Sequence, residues 1–169
     1  MLANHTLAFS AVIFRTIPDF CLQYDEPLAV LRVEWVAATD MHRLRISAAQ
    51  LMALIKELRV RHLLIDMNSV PELVVADQWW LGEYWMPQLV ALPLERLVLV
   101  IASSQVHNQL AIDALHDLVQ PAIQFDSQYF SDSVSAMDWL TDGSERLPVL
   151  EKEWANRHEA TPAFYASSY

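Results

Sequence analysis

The chain predicts an α/β fold built on a mixed β-sheet, with an N-terminal antiparallel hairpin, parallel central strands and about four helices. Two observations carry this. First, the apolar runs His62–Asp66 (HLLID) and Leu97–Ile101 (LVLVI) lack a polar face and flank a helix-length, tryptophan-dense stretch, as in a crossover between buried parallel strands. Second, two segments of period-two alternation, FCLQYD and AVLRVEW, flank the turn signal Asp25-Glu26-Pro27.

In chain order, Leu7, Phe9, Ala11 and Ile13 alternate with smaller or polar residues and predict a first strand. Phe20, Leu22 and Tyr24 then face Ala29, Leu31, Val33 and Trp35 across the hairpin, with Arg32 and Glu34 expected on its wetter side. Thr39 or Asp40 can cap a helix whose stripe is Leu44, Ala48, Leu51, Ile55 and Leu58. After the strand at His62 and Pro71 comes a helix from about Ala76 to Leu92. Pro87 cannot donate to the carbonyl of Glu83, which predicts a kink or break there.

Ser103 or Ser104 can cap the next helix, expected to bury Leu110, Ala111, Ala114, Leu115 and Leu118 and to stop before Pro121. Ala122 to Phe125 reads as a short last strand. Ser131 or Asp132 caps a final helix with Val134, Met137 and Leu140 inward and Gly143 at its end. The boundary is set at 1–147 for a single domain and 148–169 for a C-terminal tail. Trp154, Phe164, Tyr165 and Tyr169 suit partial docking of that tail.

Length and composition bound the function. A chain of 169 residues with 54% hydrophobic content is one domain's worth and can bury a sizeable core. The apolar runs are far shorter than the roughly 18 residues of a membrane span, and MLANHTLAFS lacks a basic signal-peptide region, so a cytoplasmic protein without membrane insertion is expected. A net charge of −10 argues against nucleic acid as partner, despite the cluster Arg43, Arg45, Arg59 and Arg61. With only Gly82 and Gly143, the chain has no phosphate-cradling loop, dinucleotide fingerprint or nucleophile elbow. The single cysteine, Cys21, excludes an internal disulfide. No catalytic, cofactor or metal site is assigned.

The order of elements resembles the STAS fold (sulfate transporter and anti-sigma factor antagonist domains), and more narrowly small stand-alone STAS-like proteins of Bacteroidetes-type bacteria. The resemblance covers roughly Ile13 to Leu140. It rests on Tyr24-Asp25-Glu26, Leu31-Arg32-Val33-Glu34-Trp35, Leu64-Ile65-Asp66, Asp77-Gln78 with Trp80-Leu81, Trp85 with Pro87, and Phe130-Ser131-Asp132 with Ala136 and Trp139-Leu140. It implies a binding domain with a partner surface at the start of the helix after the central strand. Anti-sigma factor antagonists carry a phosphorylatable serine there. This chain reads Val74-Val75-Ala76-Asp77, with no hydroxyl to modify.

Among chemical candidates, Asp66 ends a buried strand and could hold a ligand, but bonding to backbone N–H groups of the Asn68-Ser69 loop is the simpler role. His116, one turn from Asp113 and next to Asp117, could form half a metal site, but an exposed ion pair or helix-stabilising contact is the simpler reading. Trp79 and Trp80 diverge by about 100° on a helix, so if Trp80 is core then Trp79 faces outward. Core packing accounts for Trp35, Trp80 and Trp139. The candidate partner or ligand surface is therefore Asp66, Asn68, Val75, Asp77, Trp79 and Trp85. The expected function is a non-catalytic binding or regulatory domain engaging a protein partner or itself as a homodimer. The alternative is a module for an apolar small molecule or lipid. A closed apolar cavity would favour the ligand, and an exposed aromatic patch the protein.

Overall fold

The computed structural model describes residues 11–36 and 41–157. Its six strands are β1 (Val12–Phe14), β2 (Phe20–Asp25), β3 (Val30–Trp35), β4 (His62–Asp66), β5 (Arg96–Val100) and β6 (Asp126–Phe130), lying side by side in chain order. β1, β2 and β3 pair antiparallel, and β3 to β6 pair parallel. The fold class is thus as the sequence predicts, and β4 and β5 are adjacent central strands. Leu7 and Phe9 of the expected first strand, the caps Thr39 and Asp40, and Phe164, Tyr165 and Tyr169 lie outside the described residues.

The helices are α1 (Leu44–Leu58), α2 (Val75–Trp80), α3 (Met86–Val90), α4 (Val106–Val119), α5 (Ser133–Thr141) and α6 (Leu147–Ala155), with a π turn, Leu81–Trp85, fusing α2 to α3. Three successive parallel crossovers advance in one direction, so α1, α2–α3 and α4 all fall on one face of the sheet. That face is a large apolar layer containing Leu22, Leu31, Val33, Trp35, Leu51, Ile55, Leu63 and Leu97. The opposite face packs Leu64, Val98 and Val100 against Met137 and Leu140 of α5 and Leu150 of α6.

Several expectations are corrected. Arg32 is not on a wet face but 1% exposed, because α6 lies across it. In α4 the buried stripe is Asn108, Ala111, Leu115 and Val119, whereas Leu110, Ala114 and Leu118 face outward. The helix turns this way because the Asn108 amide is needed inside, as described below. The last strand is Asp126–Phe130 rather than 122–125: Pro121 sits in a 3-10 turn, Gln120–Ala122, and pairing begins where the Asp126 N–H reaches the Glu95 carbonyl at 3.0 Å. As an edge strand, β6 needs no continuous apolar run. Val134 points outward, while Ala136, Met137 and Leu140 carry the inner face of α5.

Asp132 does cap α5, its carboxylate accepting from the Ser135 N–H at 2.8 Å, and Gly143 (φ 62°) follows the left-handed C-cap Asp142. Cys21 is fully buried, and burial pushes its thiol pKa up. No helix among the described residues is long and apolar enough to cross a membrane.

Candidate functional site

The loop after β4 is fixed by side-chain amides. Asp66 accepts the Asn68 N–H at 2.9 Å, closing an Asx turn, so its carboxylate has the simpler of the two roles. Asn68 in turn accepts the Ala102 N–H at 2.7 Å, and Gln105 Nε2 donates to the Asn68 carbonyl at 2.9 Å, tying this loop to the one after β5. Further on, the buried Asn108 accepts from Leu73 N–H (3.0 Å) and donates to the carbonyls of Val70 (3.1 Å) and Pro71 (3.2 Å). An irregular buried segment thereby finds partners for its backbone. Asn108 went unpredicted, although its spacing with Ala111, Leu115 and Val119 marks it as part of one helical stripe.

That loop delivers the chain to α2. Asp77 near its start bonds Arg45 Nε at 3.2 Å, and Arg45 also donates to the Ala76 carbonyl at 3.3 Å. With Arg43 beside Asp19 and Arg61 bonded to Glu95, three members of the basic cluster seen in the sequence have acidic partners. At the π turn the Met86 N–H donates to the Leu81 carbonyl, five residues back. This is how the helix accommodates Pro87, whose nitrogen has no proton to give.

The extra residue of the π turn decides where the aromatic side chains go. Trp85 swings inward, 7% exposed, and its indole N–H donates to the Ala48 carbonyl in α1 at 2.7 Å. The expectation that Trp85 offers a partner surface is therefore corrected: it is an anchor between helices. Gly82 lets the segment approach α4, since a Cβ there would stand 3.1 Å from Leu115 Cδ2 and 3.3 Å from Leu118 Cδ2. On the outer side, Trp79 is 65% exposed, with Val74, Val75 and Tyr84 also exposed. Trp80 is half-buried, its ring centroid 6.4 Å from that of Tyr84, with the planes tilted by 35°, and 6.0 Å from the Arg45 guanidinium. Val75 and Trp79 thus share one patch with Tyr84 and Arg45, to which Asp77 is joined only through its bond to Arg45, whereas Asp66 and Asn68 hold the loop at the end of the sheet.

Behind this segment, between the sheet and the helical layer, lies an apolar cavity of about 120 Å³. Its floor is the register row Val33, Ile65, Leu99 and Tyr129, and Trp85, Leu89 and Leu115 form part of its roof. Ile65 and Leu99 sit on central strands yet are only half-buried, as a gap above them requires. At about 24 cal/mol per Å³, leaving such a volume empty costs on the order of 3 kcal/mol.

The lining is exposed only at Gln128 and Tyr129, on the β6 edge, with His116 of α4 alongside at 6.4 Å from the Tyr129 ring. Burial, with the Asp113 carboxylate that accepts its proton, pushes the Tyr129 phenol up to about 12. His116 Nδ1 lies 3.9 Å from Asp117. No group of three or more His, Cys, Asp or Glu side chains able to hold a metal occurs among the described residues. The site comprises an exposed patch and an apolar cavity. No protein-family model, curated protein or solved structure matches the chain.

Proposed function

We propose that the chain is a STAS-like, cytoplasmic, non-catalytic binding domain that docks a second copy of itself through the patch around Trp79. The observation that carries this reading is the exposure of Trp79, Tyr84 and Val75 on a segment anchored rigidly from behind by Trp85. Large aromatics held in one place are the usual energetic centre of an interface, because little conformational freedom is lost when they are covered. At the edge of the patch, Arg45 is paired with Asp77. A two-fold dimer, the commonest closed assembly, covers such a patch with its own copy.

The resemblance points to the same place, the start of the helix after the central strand. With valines at 74 and 75, association at this surface is constitutive rather than switched by phosphate. Sedimentation equilibrium at micromolar concentration tests the reading. A dimer mass is expected for the wild type and a monomer mass for Trp79→Ala, with thermal stability of the subunit unchanged within about 0.5 kcal/mol because the side chain is exposed. A wild-type monomer, or a dimer indifferent to Trp79→Ala, overturns it.

A further inference from the structure

We propose that the cavity above Val33, Ile65, Leu99 and Tyr129 is a binding site for a small uncharged aromatic molecule, admitted at the β6 edge. Size comes first. A volume of about 120 Å³ is close to the roughly 150 Å³ of a dry, aliphatic-lined cavity that takes up benzene. The walls are mainly Leu, Ile, Val, Met and Phe side chains together with Trp35 and Trp85, and the Trp85 indole N–H is already given to Ala48. Water would find almost no partner in such a space, whereas an apolar ring would regain contact with the half-buried Ile65 and Leu99.

Charge narrows the class. At the mouth, the Asp113 carboxylate helps to raise the pKa of the Tyr129 phenol, and Asp117 lies beside His116. Deeper in, the floor is apolar, since Asp66 alternates with Ile65 along β4 and its carboxylate senses Glu34, Arg32 and Arg157 on the other face of the sheet. A carboxylate ligand would pass Asp113 beside Tyr129 and Asp117 beside His116, and the described lining holds no lysine or arginine to receive it. A fatty acid or an aromatic acid is thereby disfavoured, and an uncharged ring, or one bearing a single hydroxyl at the mouth, is admitted. This site faces the sheet, on the other side of the segment from Trp79, so it stands independently of the docking surface.

The test is a titration of the full-length protein with toluene, benzyl alcohol and benzoate at pH 7, followed by methyl NMR. Saturable shifts are expected at Ile65, Leu99, Ile112 and Leu115 with the two uncharged probes, and binding of benzoate at least tenfold weaker. Leu99→Trp, which fills the space, should abolish the shifts while Trp79→Ala leaves them unchanged. If Leu99→Trp does not fold, Ile65→Phe serves the same purpose, and the wild-type titration decides alone. Absence of saturable shifts up to the solubility limit of toluene overturns the site. Benzoate binding as tightly as toluene overturns the uncharged class.

Discussion

The two faces of the sheet solve the same burial problem in opposite ways. The face under α1, α2–α3 and α4 is largely apolar and leaves a gap, its buried polar side chains being Asn108 with its loop and Ser47 with Asp19, whereas the face under α5 and α6 is crowded with paired polar groups. There Arg32 donates to Glu151 Oε1 at 3.0 Å and to Ser133 Oγ at 2.8 Å, with its guanidinium 4.4 Å from the Trp154 ring centroid. Beside it Gln23 donates to the Leu150 carbonyl at 2.9 Å, Asp25 accepts from Arg146 Nε at 3.0 Å, and Glu34 meets Arg157 Nε at 2.8 Å. Directional bonds fix α6 in a single position, while non-directional contacts on the other face tolerate an imperfect fit. The polar face is built to stay closed, and the apolar face has room to accept something.

The comparison is broken most directly at Glu151. Glu151→Ala strands the Arg32 cation, 1% exposed, in a site where burial already lowers its pKa. Removing one partner of a buried pair costs about 3 kcal/mol. Replacing both, as Arg32→Met with Glu151→Ala, should recover most of that loss, because no unpaired charge remains. Urea denaturation of the two variants is the measurement. A single variant within about 1 kcal/mol of wild type would mean that water reaches Arg32 easily and that this face is not closed.

The apolar face should be more forgiving. Trp85→Phe removes the indole bond to Ala48 and enlarges the cavity slightly, for an expected cost of about 1–2 kcal/mol. If it costs more than Glu151→Ala in the same urea series, the ranking of the two faces is reversed.

This contrast explains what could be read from the residues. Strands β2 to β5 and the stripe of α1 were legible because alternation and continuous apolar runs report burial directly. The polar face was hidden by a single unpredicted element, α6. Leu147, Leu150 and Trp154 have helical spacing, but Pro148 reads as a break unless it is recognised as a first-turn proline. Without α6, Arg32 and Gln23 look solvated. Trp79 was placed outward correctly, since neighbouring residues on a helix must diverge. Trp85 was misplaced because the π turn adds a residue and rotates everything after it, and no propensity scale signals that. The cavity was illegible in principle, because a void is a difference between volumes set by the whole packing.

The smallest expected effect lies where the two faces meet, at Asp66. Its pKa is raised, chiefly by burial, against the opposing pull of the Asn68 N–H. A folded-state pKa above the unfolded one means that the folded protein holds this proton more tightly. The contribution of Asp66 to stability is therefore fully present below the ordinary value of 3.8 and is lost as pH rises through the folded pKa. Asp66→Asn keeps an oxygen to accept the Asn68 N–H and removes the buried charge. The variant should melt slightly higher than wild type at pH 7, and the difference should shrink as pH falls through the folded pKa and level off below 3.8, where the aspartate is neutral in both states. Paired thermal melts between pH 3 and 7 give the answer. A difference independent of pH would mean that the effect comes from the turn geometry, and that the carboxylate is well solvated at the boundary between the open face and the closed one.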